Sequence, residues 1–347
     1  MNQTQDFTKG VIWKQLLFFF FPILIGSFFQ QLYNTVDTII VGQAVGTSAL
    51  AAVGSTGNLT NLIVNFYVGL STGASVVIAQ YYGAQNNKKI HQAVHTSYIL
   101  AIVSGILMML FGLFFSYQCL DAIGTPHDIL NDATLYMQLY FLCMIPGAIY
   151  NIGAGILRAV GDSKRPLYYL IVCSIVNVVF DFIFVVIFHQ GIAGAAIATV
   201  IAQFVCAILV TIQLMRTNEV YKLTLSKMKF HLPVLKKIIM IGAPAGIQST
   251  MYSISNIVLQ SHINAFGTRT IASWSVYVKI DALFWMMIAA IGAAITTFAG
   301  QNYGAHLHDR IKKGARTALA MAFIMTISIS TILCLTGSYI TRLFSSD

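Results

Sequence analysis

The sequence predicts an all-α fold of polytopic transmembrane helices, arranged as two parallel-repeat lobes of six helices with the second lobe incomplete. Three observations carry this. Long apolar runs recur along a chain that is 57% hydrophobic and 9% charged, whereas soluble domains hold about 25% charged residues. The runs are continuous rather than alternating, which selects spanning helices over a β-barrel. Lys and Arg gather in alternate loops: Lys9 and Lys14; Lys88 and Lys89; Arg158, Lys164 and Arg165; Arg216 to Lys237; Arg310 to Arg316. The intervening loops hold only Arg269 and Arg342, and acidic Asp121, Asp128 and Asp132 lie on that side. This bias puts the N-terminus in the cytoplasm. Finally, the stretch from Pro22 returns at Pro244, 222 positions on, and "QYYGA" at Gln80–Ala84 returns 221 positions on as "QNYGA" at Gln301–Ala305. A repeat this long is a duplicated half-protein, the usual build of a secondary transporter.

In chain order, helices are predicted at about 14–41, 49–82, 90–117, 131–157, 165–188, 192–215, 235–264, 270–301 and 310–341. They divide into an N-lobe over 1–215, a basic linker over 216–234 and a partial C-lobe over 235–347. The first run is too long for a signal peptide, lacks a small-residue cleavage site and contains Gln30, Asn34 and Asp37, so it reads as an uncleaved helix. Pro22 and Pro244 sit at matching places in helices 1 and 7, and Pro146 interrupts helix 4. Each removes a backbone hydrogen bond and can hinge its helix. The segment Thr217–Lys237 carries five Lys and one Glu. It reads as a same-side linker with a lipid-facing basic patch, or more sharply as a regulatory site. Arg342 corresponds to Leu120, so helices 10 to 12 are expected to be missing, either because the chain is a fragment or because its gene is truncated.

Charge placement also bears on function. A net charge of +9 suggests nucleic acid on its own, but its confinement to alternate loops excludes that. Cys119, Cys143, Cys173, Cys206 and Cys334 form no CxxC and read as small apolar fillers. No HExxH, P-loop, dinucleotide fingerprint or nucleophile–base set occurs, so no enzyme and no cofactor are expected. The 23 Phe, 16 Tyr and 13 Met suit a greasy, adaptable cavity, although lipid-facing and core packing explains most of them.

Ionisable groups inside a membrane cost about 3 kcal/mol each or more and are functional candidates by default. Asp37 shares a face of helix 1 with Gln30 and Asn34 at i, i+4, i+7 spacing, which points to a coupling or substrate role. The alternative is solvation at the outer helix end. Asp181 follows Asn177 by four residues in the apolar string "VVFDFIFVVIF". Desolvation there would let it take up and release a proton, or its oxygens would join Asn and Thr around Na⁺; a structural hydrogen bond is the third reading. Helix 6 offers Thr199 and Gln203. Helix 2 offers Asn58, Asn61 and Asn65 as cavity lining or interhelical glue. Lys279 and Asp281 in helix 8 are two residues apart and do not share a face. GxxxG at Gly42–Gly46, Gly69–Gly73, Gly242–Gly246 and Gly300–Gly304 indicates close helix packing.

At these residues the chain resembles the multidrug and toxic compound extrusion (MATE) family. The strings that carry the likeness are Pro22-x(14)-Asp37, the two "QxYGA" copies, "GILRAVGDSKRP" at Gly155–Pro166 and "NVVFD" at Asn177–Asp181. The helix 5 aspartate resembles the DinF-like branch. The resemblance implies two six-helix bundles that rock around a central cavity and expel organic cations in exchange for H⁺ or Na⁺. It maps an N-lobe cation site onto Gln30, Asp37, Tyr136, Asn177, Asp181 and Thr199, with possible Na⁺ ligands Asp37, Asn177, Asp181 and Thr199, and makes Pro22 the bending proline. Helix 7 lacks the glutamate of the other bacterial branch, and helix 10, which carries an acidic residue there, is among the helices expected to be missing, so the resemblance leaves a second-lobe cation site open. The family implies a multi-pass protein of the bacterial cytoplasmic (inner) membrane, a monomer when full length, with small organic cations and membrane lipid as partners. The alternatives are a lipid-linked oligosaccharide flippase, which would need more cationic residues in the cavity, and an inactive or interaction-only fragment.

Overall fold

The structure, a computed structural model, describes residues 4–264, 266 and 268–344. Some side chains within helices, including those of Asn58 and Lys279, lie outside the described residues. The helices are α1 (Ile12–Ala44), α2 (Thr47–Gly83), α3 (Asn87–Ala122), α4 (His127–Phe141), α5 (Met144–Ala159), α6 (Lys164–Asp181), α7 (Gly191–Arg216), α8 (Leu232–Asn264), α9 (Thr268–Gly304) and α10 (His308–Phe344). No strand is formed among the described residues. Among the described residues, seven helices are long and apolar enough to span a membrane, and the bent pair α4–α5 makes an eighth. The seventh expected span, α8, does not reach that apolarity over its described residues: Gln248, Ser249, Thr250, Ser253, Ser255 and Asn256 dilute it. Large apolar side chains such as Phe18, Leu107, Phe114 and Ile175 are exposed on the bundle surface, as a lipid-facing belt requires.

Two helices depart from straight rods. The chain bends by 45° between α4 and α5. Pro146 lacks an N–H, so the carbonyl one turn back at Leu142 has no helical partner there, and the chain tightens through Leu142 N–H to Leu139 O (3.1 Å) and Cys143 N–H to Tyr140 O (2.9 Å). After Asp181, α6 widens into a π-helical turn, Phe182–Ile187; the sequence reads there as one regular helix.

The repeats meet across two seams and a shared rim. At the rim, Gly83 packs on the backbone of Gln301, and Gly304 packs on the backbone of Gln80. These contacts are copies of one another under the 221-residue offset, so the repeats face each other around a local two-fold axis. Along the α2–α8 seam, Gly69 and Gly73 lie against Gly246 and Gly242, so the two GxxxG motifs meet, and a Cβ on Gly69 would strike the Gly246 backbone. Such close approach is how helices gain packing energy in lipid, where apolar burial alone contributes little.

The chain before α1 straps the repeats together at the end that carries the basic loops. Gln5 N–H reaches Gly161 O (3.1 Å). Phe7 N–H donates to Gln301 Oε1 (3.1 Å), and Gln301 Nε2 donates onward to Ala159 O (2.8 Å). Phe7 O accepts from Asn302 Nδ2 (3.1 Å) and Arg310 Nε (3.0 Å). The Phe7 ring is fully buried, edge-on to Phe19 and Phe298.

The 216–234 linker docks on the first repeat: Tyr221 and Leu223 are buried, Thr224 N–H donates to His95 Nε2 (3.1 Å) and His231 N–H to Thr96 Oγ1 (3.2 Å). Apolar residues interspersed with its Lys side chains supply that contact. Cys173 and Cys206 are not independent fillers. They face each other across α6 and α7 with Cα atoms 5.9 Å apart and are joined as a disulfide, a pairing that their 33-residue separation does not reveal.

Candidate functional site

Helices α1, α4, α6 and α7 bring polar side chains together in the first repeat. Asp37 on α1 and Asp181 on α6 stand side by side, close enough for each carboxyl to act on the other. Asp181 is fully buried and Asn177, one turn earlier, is 1% exposed. Asn177 Nδ2 donates to Thr199 Oγ1 on α7 (3.4 Å), and Thr199 in turn donates to Ala195 O (3.2 Å). Tyr33, Tyr136 and Tyr140 surround Asp37. Asp37 Oδ1, both Asp181 carboxyl oxygens and Asn177 Oδ1 are buried without a hydrogen-bond partner. Neither aspartate forms an ion pair among the described residues.

Chemically this arrangement is incomplete. Two carboxyls side by side can bond only if one carries a proton, and two carboxylates require a cation between them. Four converging, unpartnered oxygens on three residues suit a proton or a hard monovalent cation. The π turn that starts at Phe182 immediately follows Asp181, a placement common at functional sites.

Next to this cluster lies a cleft of about 180 Å³, open at its mouth, between α1, α2, α5, α6 and α7. Pro22, Gln30, Tyr33, Tyr140, Cys143, Arg158 and Gln203 are among its walls. It continues between the repeats, where α9 contributes Gly292, Ala293, Thr296 and Thr297, and where Gln30, Asn151 and Arg158 line both parts.

Of the expected residues, Asp37, Tyr136, Asn177, Asp181 and Thr199 therefore converge. Gln30 lines the cleft beside Tyr33. Asn34 is exposed and does not join: the cluster uses the Tyr33–Asp37 side of α1, which leaves Asn34 on the flank. Gln203 lines the cleft, and α1 runs on as a helix through Pro22, which also lines it. Asp281 is half-buried on α9 and takes no part in the cluster, while Asn58 and Lys279 carry no described side chain. Asn65 binds across the seam, Nδ2 to Ser253 Oγ (3.1 Å), and so acts as interhelical glue. The sequence reading missed Tyr33, Tyr140 and Arg158. Tyr33 was visible as the i−4 neighbour of Asp37; Arg158 was counted with the loop charges.

A multi-pass helical bundle built from a repeated unit, with orphaned carboxyls beside a central cleft, defines a membrane transporter rather than an enzyme. The MatE family model matches residues 22–183 and 244–347, and the chain belongs to that family, the MATE transporters. It is similar to "Probable multidrug resistance protein YoeA" of Bacillus subtilis (strain 168), with 28% identity over 93% of this chain and 71% of that protein. It is similar to "Multidrug export protein MepA" of Staphylococcus aureus (strain NCTC 8325 / PS 47), with 22% identity over 100% of this chain and 76% of that one. A solved structure described as the "Outward-facing conformation of a multidrug resistance MATE family transporter of the MOP superfamily" superposes with a TM-score of 0.92 at 25% identity, covering 99% of this chain and 76% of that chain.

Proposed function

We propose that this chain is a cation-coupled exporter of small organic, cationic molecules, exchanging them for H⁺ or Na⁺ by alternating access. The observation that carries the reading is the Asp37–Asp181 pair, whose three buried unpartnered oxygens require a proton or a metal cation. Asp37 belongs to α1, which also carries Pro22 and walls the cleft; Asp181 belongs to α6. Loading the pair with a cation draws α1 toward α6, and unloading it sets like charges against each other. Asn177 and Thr199 hold the remaining oxygens in place. Because α1 bends most readily about Pro22, the movement changes the cleft wall at Ile23, Ser27 and Gln30. Exchange follows if cation and cargo favour opposite conformers. The names of the similar proteins support drug export. The basic loops support a cytoplasmic N-terminus in a bacterial inner membrane, and the two repeats are read as the two rocking lobes of a monomer.

The test is ethidium efflux from proteoliposomes containing the chain, driven by an imposed proton or Na⁺ gradient. Asp37→Asn and Asp181→Asn each remove one charge of the pair at constant shape and are expected to lower gradient-driven efflux at least tenfold. Undiminished efflux in both variants overturns the reading. A flippase is disfavoured because the cleft holds a single arginine rather than the cationic cluster a pyrophosphate needs.

A further inference from the structure

One charge in the cleft is unused by this mechanism. Arg158 sits in the last turn of α5 and lines both the first-repeat cleft and its continuation between the repeats. Among the described residues it makes no ion pair and no hydrogen bond; the one titratable group acting on it is Tyr150. The acid nearest in sequence, Asp162, is already committed. Its Oδ1 accepts from Lys164 N and Arg165 N, both at 3.1 Å, and its Oδ2 pairs with Arg165 at 3.2 Å. Arg158 is thus a positive charge without a side-chain partner among the described residues, at the end of a spanning segment and turned into the cleft, a place where such a charge can meet an anion.

The wall around it is built to receive one. Ser27, Ser75 and Thr297 line the same space, and their hydroxyls make no hydrogen bond among the described residues. Gln30 and Asn151 add amide groups. Arginine presents a planar fork of N–H donors that matches a carboxylate or phosphate bidentately. The same cleft is walled by Tyr33 and Tyr140, on which the charge of Asp37 acts. We infer that the Arg158 end binds an acidic group, carboxylate or phosphate, on the transported molecule, so that the cargo carries an acid together with its positive charge. The inference rests on the export reading and narrows its substrate class.

The experiment compares two dyes by fluorescence polarisation with the purified chain in detergent: rhodamine 110, which has a free carboxyl, and its methyl ester, rhodamine 123. The wild-type protein is expected to bind the free acid at least tenfold more tightly than the ester. Arg158→Ala is expected to bring that ratio close to one, and Arg158→Lys to leave part of it. Melting curves accompany both, and the wild-type ratio stands without either variant. Equal affinities in the wild type, or a ratio unchanged in Arg158→Ala, overturn this inference alone. Binding of neither dye overturns the export reading and this inference with it. Displacement of rhodamine 110 by dihexanoylphosphatidylglycerol at comparable concentration overturns it in favour of a lipid phosphate.

Discussion

The two seams between the repeats occupy equivalent places and are packed differently. On the α2–α8 seam glycine meets glycine, Gly69 and Gly73 against Gly246 and Gly242. The repeat offsets turn Gly242 and Gly246 into Phe20 and Leu24 on α1, and Gly69 and Gly73 into Ala290 and Ala294 on α9. Phe20, Ala290 and Ala294 are buried there, with Leu24 packed against them, in a small core shared with α10. The bulkier side chains keep α1 and α9 from the backbone contact that α2 and α8 make. The interlobe part of the cleft opens beside this second seam, lined by Ile23 and Ser27 of α1 and Ala289, Ala290, Gly292 and Ala293 of α9. One seam is a fixed glycine contact; its counterpart is a side-chain contact next to the helix that carries Pro22 and Asp37. A duplicated fold thus acquires one rigid seam and one that can be re-spaced.

The largest effect is expected from breaking the rigid seam. Gly69→Leu or Gly246→Leu forces side-chain atoms into the facing backbone and should cost more than about 3 kcal/mol, visible as lost monodispersity on gel filtration. Next is the strap. Phe7→Ala removes two edge-to-face contacts worth about 0.5–1.5 kcal/mol each, and should speed maleimide labelling of a Ser75→Cys reporter from the basic-loop side. Phe20→Ala on the re-spaceable seam should cost about 1–2 kcal/mol, since lipid is as apolar as the core and packing alone is lost; thermal melting reads this. If Phe20→Ala proves as damaging as Gly69→Leu, the contrast between the seams fails. Smallest is Asn65→Ala, which removes the bond to Ser253 at about 0.6 kcal/mol and should shift the melting temperature barely.

Much of the candidate site was legible because an intramembrane charge stands out against apolar sequence. Asp37 and Asp181 announced themselves in this way, and i+4 spacing added Asn177. Tyr33 and Tyr140 were hidden among the 16 tyrosines, most of which have no part in the site. Arg158 was concealed for another reason: at a helix end, a charge tally cannot tell a loop-facing arginine from one turned into a cleft. The Cys173–Cys206 pair and the π turn after Asp181 leave no periodic trace, since both depend on how neighbouring helices pack. Asn34, exposed and outside the carboxyl cluster, shows the limit of spacing: shared periodicity places residues on one side of a helix without saying which edge of that side meets a partner.

By itself the sequence determined that this chain spans a membrane many times, that its halves are copies, and that buried carboxylates lie in the first. Those properties follow from local hydrophobicity, charge and self-similarity, which need no partner. The tertiary structure alone decided that two aspartates, 144 positions apart, share a charge problem. It also decided that one seam closes on glycine while its copy does not, and that Arg158 faces the cleft. Each of these depends on the distance and angle between helices, which local sequence constrains only through the side chains that happen to meet.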